Sequence, residues 1–239
     1  MELHSIEDSI YNYPLLLLNI KNKKIIESID NYLPYSIGIE IECDWLKRIG
    51  NEHIFKEIPN IIEVNCDVLE KRFRIPNGLN GLICLYNICE KLKKVCSLNP
   101  GSGIHYHIDM TDFFHIVNQE FIVKNKEYIL KELDEWMYKG TYNSRSVYIN
   151  NMAWVRFQTD FKTMEIRIGE MTFDYSLMIK RIIHSCKIVK TLKDLSYLTI
   201  EEVKIHKLQN ELKELQTNNT TKIVNNIENI IKNREINLI

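Results

Sequence analysis

Three short segments of this chain alternate apolar and polar residues in the same way, and this repeated pattern constrains the fold more than any other feature. Residues 37–43 and 164–168, and most of residues 101–110, place an apolar side chain at every second position. Side chains alternate between the two faces of a β-strand, so each segment predicts a strand with one apolar and one polar face. We expect three strands of one sheet, with helices on the apolar face and a site on the polar face.

The polar faces of these strands carry acids, imidazoles and an arginine. The six side chains are Glu40 and Glu42 on the first strand, His105 and His107 on the second, and Glu165 and Arg167 on the third. Carboxylates two residues apart on a strand lie about 6–7 Å apart, which suits hard cations. Arginine is a planar fork that suits phosphate. Each pair alone has an ordinary explanation, such as a solvated face or a local salt bridge, but those explanations do not predict the same pattern three times.

A further strand-rich segment is predicted at residues 61–75, where Glu70, Arg72 and Arg74 would share one face. The Pro-Asn-Gly sequence that follows it indicates a turn. Asp109, at the end of the histidine segment, fits either a ligand or a turn-capping role. Together with Glu165, Glu70 would add carboxylates to the face that carries Glu40 and Glu42, and we expect such a concentration of acids to repel strongly without cations.

The rest of the chain predicts helices, one hairpin and one long loop. Apolar residues recur at spacings of three and four in residues 82–96, 118–138 and 177–192, which is typical of helices. A hairpin is predicted over residues 153–168, a weak strand at 145–151 and a loop at 44–60. The predicted organisation is an N-terminal extension at 1–35 packing on the core, a catalytic domain at 36–200 and a C-terminal helical tail at 201–239.

Composition excludes some classes of protein. The formal net charge of -1 gives no overall basic field, so we expect no nucleic-acid partner. The six cysteines lack metal-type spacing, which indicates a reduced, cytoplasmic protein. The apolar run at residues 15–18 is too short for a membrane span or for the core of a secretory leader, and we expect neither. The oligomeric state stays open.

Four motifs, in their order along the chain, resemble the amidoligase family. They are Gly-x-Glu-x-Glu at 38–42, an acidic segment reaching Glu70 and then Pro76, Gly-x-His-x-His at 103–107, and Glu-x-Arg at 165–167. That family belongs to the carboxylate–amine ligases with a glutamine synthetase-like fold, alongside glutamate–cysteine ligase. The resemblance covers roughly residues 36–195. It implies an α+β domain with a curved, mainly antiparallel sheet and helices packed on its convex face.

The resemblance also implies ATP-dependent formation of an amide bond between a carboxylate and an amine. The substrates would be small amino acids, peptides or protein termini, activated through an acyl phosphate. The implied ligands of Mg²⁺ or Mn²⁺ are Glu40, Glu42, Glu70, His105 and Glu165. The implied catalytic residues are Arg167, Glu165 and His105, and the implied ATP and substrate contacts are His107, Arg167, Arg145 and Asn150. The family's Asp-x-Ser motif has only Asp67 as a counterpart here.

Two other classes of function are compatible with the same residues. A metal-dependent hydrolase could use the His-x-His pair, although the carboxylates outnumber the later histidines from which such an enzyme would draw further ligands. A catalytically inactive binding protein could keep the same fold. Stabilisation by a nucleotide with Mg²⁺ would separate the ligase from the hydrolase, and phosphate release that needs both an amine and a carboxylate would separate the ligase from the binding protein.

Overall fold

The computed structural model is α+β, as predicted. It describes residues 6–12, 21–45, 52–66, 70–99, 102–136, 147–150, 154–196 and 200–217. The helices among them are α1 (Ile6–Asn12), α2 (Lys23–Tyr32), α3 (Glu52–Lys56), α4 (Gly78–Val95), α5 (Gln119–Trp136), α6 (Tyr175–Leu195) and α7 (Ile200–Thr217). The strands are β1 (Ile37–Glu42), β2 (Asp44–Trp45), β3 (Glu63–Cys66), β4 (Glu70–Ile75), β5 (Cys96–Ser97), β6 (Gly103–Asp109), β7 (Val147–Ile149), β8 (Val155–Gln158) and β9 (Thr163–Glu170).

Seven of the described strands form one open sheet in the order β3-β4-β1-β6-β9-β8-β7. Every neighbouring pair is antiparallel except β7 and β8, which are parallel. The three strands predicted from alternation are β1, β6 and β9, and they lie side by side in the middle of the sheet. This part of the prediction is confirmed. The predicted hairpin is β8 and β9, and β2 pairs with β5 in a separate two-stranded sheet.

The apolar face of the sheet is buried beneath helices. The isoleucines of β1 are at most 1% exposed, and Tyr106 of β6 is completely buried. Phe121 of α5 contacts Phe157 of β8 with ring centroids 5.8 Å apart, and α4 packs against β4. Removing one such side chain from water contributes roughly 1.5–3 kcal/mol. The alternation of apolar residues therefore selects the face on which these helices pack.

One cation is buried on this apolar face. Lys71 of β4 has no exposed surface, and its Nζ donates a hydrogen bond of 2.5 Å to the backbone carbonyl of Cys43. Burying an ammonium group is costly unless it is paired or hydrogen-bonded. Lys71 therefore stands where the alternation of β4 requires an apolar residue.

The predicted helices are also present. The third of them begins at Tyr175, where the Asp174 carboxylate accepts hydrogen bonds from the backbone N–H of Ser176 at 2.8 Å and of Leu177 at 3.3 Å. That is the geometry of an N-terminal helix cap. The loop predicted at residues 44–60 is wrong in part, because this stretch contains β2 and α3. Both are short elements stabilised by tertiary contacts, such as the packing of Phe55 on Phe73 at 4.9 Å between ring centroids.

The chain divides into two compact units, residues 1–191 and 192–239. The first contains the whole sheet, and in it Tyr175 donates a hydrogen bond to the carbonyl of Ile10 in α1. The second contains α7. The apolar run at 15–18 and the residues after 217 lie outside the described residues. Among the helices described, none is both long enough and apolar enough to cross a bilayer.

Candidate active site

The pairing of the strands aligns the predicted site residues in rows across the polar face of the sheet. One row contains Glu63, Arg74, Gly38, His107, Glu165 and Arg156 on six successive strands. The next contains Asn65, Arg72, Glu40 and His105. Side chains directly opposite each other on neighbouring strands are in contact range. Most of these residues line a cleft with a volume of about 540 Å³, and Glu42, Glu70 and Arg167 line it too.

Glu40, His107 and Glu165 form the centre of this site. One ligand atom from each lies within 4.8 Å of the other two, which is close enough to hold one metal ion. His107 Nε2 is 3.3 Å from Glu40 Oε1 and 3.8 Å from Glu165 Oε1. The other ring nitrogen of His107 lies 3.3 Å from Thr163 Oγ1, which orients the imidazole. Two carboxylates and an imidazole are a ligand set that can hold a divalent cation.

His105 lies beside the second oxygen of the Glu40 carboxylate. Its Nδ1 is 3.3 Å from Glu40 Oε2 and 3.7 Å from Glu165 Oε1. Burial alone would raise the pKa of Glu40, but the imidazoles of His105 and His107 outweigh it and hold that pKa far below its usual range. Glu40 is therefore an ionised carboxylate with an imidazole on each oxygen.

Glu165 is completely buried and is surrounded by donors. Its Oε2 accepts hydrogen bonds from Arg156 Nε and Gln158 Nε2, both at 2.5 Å, and its Oε1 accepts from Arg167 Nη1 at 2.5 Å. Burial would raise the pKa of Glu165, yet Arg156, His107 and Arg167 together lower it. The expectation that these acids repel one another without bound cations is therefore incomplete, because arginines of the same sheet supply positive charge.

Glu70 and Glu42 lie one row further along. Arg72 holds Glu70 through two hydrogen bonds, 2.7 Å from Nη2 to Oε2 and 3.0 Å from Nε to Oε1, and its Nε is also 3.5 Å from Glu40 Oε1. Burial raises the pKa of Glu70, and the charge of Glu40 adds to the rise against the opposing effect of Arg72. Glu42 is opposite Glu70 and Gly103. Neither Glu70 nor Glu42 belongs to the described three-residue cluster.

Arg156 and Gln158 are site residues that the sequence analysis did not single out. They alternate with buried Val155 and Phe157 along β8. This alternation within the predicted hairpin was the sequence feature that could have placed them on the polar face. Both donate to Glu165, and the register of the hairpin decides which of them stands directly opposite it, namely Arg156.

Of the remaining predicted residues, Asn150 and Asp109 lie away from the centre of the site. Asn150 has a positive φ of 55° and exchanges hydrogen bonds with Thr159, so it fastens the end of β7 to the turn after β8. Its role in ATP binding stays a prediction. Asp109 accepts hydrogen bonds from the backbone N–H and the hydroxyl of Thr111, which is a turn role. Arg145 and Asp67 lie outside the described residues.

Two buried polar atoms in the site have no hydrogen-bond partner among the described residues. They are Nε2 of His107, which lies 3.3 Å from Glu40 Oε1 without the geometry of a hydrogen bond, and Nε of Arg167. Leaving a buried polar group unsatisfied costs about 1–3 kcal/mol. An imidazole nitrogen is satisfied by a metal ion, and a guanidinium N–H by an anion. The residues present therefore fit a divalent cation together with an oxyanion.

Of the residues in the four motifs, one cleft is lined by Glu40, Glu42, Glu70, His105, His107 and Arg167, and the buried Glu165 contacts Arg156 and Arg167, which also line it. The comparisons with known proteins identify no family for this chain. No protein-family model and no curated protein sequence matches the chain.

Proposed function

We propose that the protein is an ATP- and Mg²⁺-dependent carboxylate–amine ligase with a glutamine synthetase-like catalytic domain, which forms an amide bond through an acyl phosphate. The observation that supports this most is the Glu40–His107–Glu165 cluster in direct contact with Arg167. A cation site and a guanidinium side by side are the two elements that phosphoryl transfer requires.

In this proposal Glu40, His107 and Glu165 bind the divalent cation, and Glu42 and Glu70 are the nearest further carboxylates. An Mg²⁺ ion held by these residues would supply positive charge that offsets the negative charge developing during phosphoryl transfer. Glu40 is suited to this role because its low pKa keeps it ionised at neutral pH. His105 orients Glu40 through the contact between Nδ1 and Oε2.

Arg167, which lines the cleft, then binds the transferring phosphoryl group through its guanidinium N–H donors. The substrate carboxylate attacks the γ-phosphorus, the bond to the bridging oxygen breaks, and ADP leaves. The amine attacks the acyl carbon of the resulting acyl phosphate, loses a proton and displaces inorganic phosphate. The cleft volume of about 540 Å³ lies within the range of roughly 300–1,000 Å³ that is usual for ligand pockets.

The experiment that tests this function combines binding with turnover. We expect ATP with Mg²⁺ to raise the melting temperature, and ATP with EDTA to raise it much less. Glu40→Gln removes a cation ligand at almost constant shape, so it should abolish the Mg²⁺-dependent part of the shift. Glu63→Gln is a matched control, because Glu63 lines the same cleft on an outer strand.

Turnover separates the ligase from its alternatives. Inorganic phosphate should appear only when ATP, a carboxylate and an amine are all present, as tested with mixtures of amino acids and short peptides. Hydrolysis of an ester or amide without ATP would instead indicate the metal-dependent hydrolase. The absence of any shift with ATP and Mg²⁺, together with a Glu40→Gln variant identical to the wild type, would contradict the proposal.

A further inference from the structure

Two cysteines meet at the separate two-stranded sheet that β2 forms with β5. Cys43 is the residue between β1 and β2, and Cys96 follows α4 and begins β5. In the register of this small sheet Asp44 stands opposite Ser97, and Trp45 stands opposite Cys96. Residues two apart on a strand share a face, as do residues directly opposite each other. Cys43 and Cys96 therefore lie on the same face, on neighbouring segments of chain.

The thiols of this pair are in contact with each other. The side chains of Cys43 and Cys96 are hydrogen-bonded to one another, and they are 4% and 3% exposed. At most 1% exposure remains at the three most buried cysteines, Cys84, Cys89 and Cys186. A single buried thiol behaves as a small apolar side chain, whereas two thiols in contact need little backbone movement to form a disulfide.

The buried Lys71 holds one member of the pair in place. Its Nζ donates a hydrogen bond to the backbone carbonyl of Cys43. Lys71 lies on the apolar face of the sheet, so the reaction proposed for the cleft does not use its ammonium group. A third cysteine, the half-buried Cys66, stands opposite Lys71 on β3. The hydrogen bond from Lys71 thus fixes the end of β1 beside the start of β5, where the two thiols meet.

We propose that Cys43 and Cys96 are a site of reversible oxidation, at which a peroxide converts the two thiols into a disulfide that links the end of β1 to the end of α4. One sulfur attacks hydrogen peroxide, the O–O bond breaks, and a sulfenic acid and water form. The second thiol attacks that sulfur, so the S–S bond forms, the S–O bond breaks and a second water leaves. The two sulfurs together lose two electrons, which the peroxide accepts. The inference is independent of the proposed function.

The disulfide would also change the stability of the chain. It would close a long loop that contains β2, α3, β3, β4 and α4. A cross-link across a long loop stabilises a protein mainly by restricting its unfolded chain. We therefore expect the melting temperature of the oxidised chain to be higher than that of the reduced chain by about 5 °C or more.

The test treats the full, reduced chain with hydrogen peroxide and locates the products by mass spectrometry. We expect the intact mass to fall by that of two hydrogen atoms, and the digest to contain the peptide of Cys43 joined to the peptide of Cys96. Dithiothreitol should reverse the change by thiol–disulfide exchange and restore all six thiols. Calorimetry measures the melting temperature of the reduced and oxidised forms.

Cysteine variants distinguish this pair from general thiol oxidation. Cys96→Ser should prevent both the loss of two hydrogen atoms and the gain in melting temperature. Cys43→Ala removes the other thiol of the pair and should have the same effect, so it serves if the serine variant does not fold. Cys66→Ser is the matched control, because Cys66 belongs to a neighbouring strand and is more exposed than either member of the pair. It should leave both the disulfide and the gain in melting temperature unchanged.

Each remaining outcome would overturn the inference. A disulfide that includes Cys66 would show that the contact between Cys43 and Cys96 does not decide which thiols pair. Oxidation of single cysteines to sulfinic or sulfonic acids, or no reaction with excess peroxide, would show that the two thiols do not form a disulfide. A disulfide between Cys43 and Cys96 that leaves the melting temperature unchanged or lowers it would show that the bond strains the fold.

Discussion

Glu165 is a buried carboxylate whose charge is balanced entirely by side chains of the sheet. Moving an ionised carboxylate out of water costs several kcal/mol even after relaxation, and only well-formed charge-assisted hydrogen bonds offset that cost. Arg156, Gln158 and Arg167 provide them. The same bonds determine where both guanidinium groups lie, so Glu165 organises the site whether or not it also binds a metal.

Glu165→Gln should show this dependence directly. The amide keeps the shape but removes the charge, which leaves Arg156 and Arg167 poorly compensated in a buried setting. We expect a loss of about 3 kcal/mol in the free energy of unfolding, as for other broken buried pairs. Urea denaturation measures this free energy of unfolding. Glu42→Gln, at an exposed position on the same face, should change the free energy of unfolding by less than about 0.5 kcal/mol. Equal effects of the two changes would contradict the role given to Glu165.

Lys71 is a buried cation that donates a hydrogen bond to the backbone carbonyl of Cys43. Lys71→Met fills nearly the same volume without a charge, so we expect the protein to be as stable as the wild type or about 1 kcal/mol more stable. Lys71→Ala leaves a cavity and should cost about 2–4 kcal/mol. Chemical denaturation of both variants measures the difference. A large loss in Lys71→Met would mean that the ammonium group itself stabilises the end of β1.

At the scale of strands and helices, the alternation of apolar residues predicted which face of each strand is buried. It did not predict which residues of neighbouring strands stand opposite each other. The isoleucines of β1 and their counterparts on β6 and β9 show which face packs on the helices, so the shared polar face followed from the sequence. The contacts across that face did not. The contact of Arg72 with Glu40 and the meeting of Arg156 with Glu165 depend on which residues stand opposite each other. No local pattern in the sequence encodes that pairing.

Gly38 illustrates the effect of register on the site. It stands opposite His107, and a Cβ placed on it would lie 3.0 Å from His107 Cβ, closer than such atoms normally approach. Gly38→Ala should therefore displace the imidazole and weaken Mn²⁺ binding about 10-fold, as changes that misorient a metal ligand do. Electron paramagnetic resonance measures the affinity.

Gly103→Ala is the control for Gly38→Ala. At Gly103 an added Cβ would meet the end of the flexible Glu42 side chain at 3.3 Å, which can move aside. We expect the affinity for Mn²⁺ to change little. If the two variants lose affinity equally, the close approach of Gly38 to His107 does not explain the loss.

At the scale of the whole molecule, three acids of the site, Glu40, Glu70 and Glu165, are paired with arginines of the same chain. Arg72 holds Glu70, and Arg156 and Arg167 hold Glu165. The sheet is therefore stabilised by its own ion pairs and by the buried apolar face. The six cysteines are free thiols, so disulfides contribute nothing to the stability of this fold.

The protein should consequently remain folded without divalent cations. We expect exhaustive dialysis against EDTA to leave the circular dichroism spectrum and the cooperativity of thermal unfolding unchanged, while addition of Mn²⁺ raises the melting temperature by mass action. Calorimetry and circular dichroism check both parts. Loss of secondary structure in EDTA would show that the arginines do not suffice to balance the acids.

The ion pairs around Glu165 also make folding independent of cation binding. A chain whose acids needed metal to coexist would be cleared by proteases whenever the cation was scarce, because its unfolded fraction would rise. Here the arginines let newly made chains reach the folded state first and acquire the cation afterwards. Under the proposed function, scarcity of magnesium would then limit the rate of the reaction, and the number of folded molecules would stay the same.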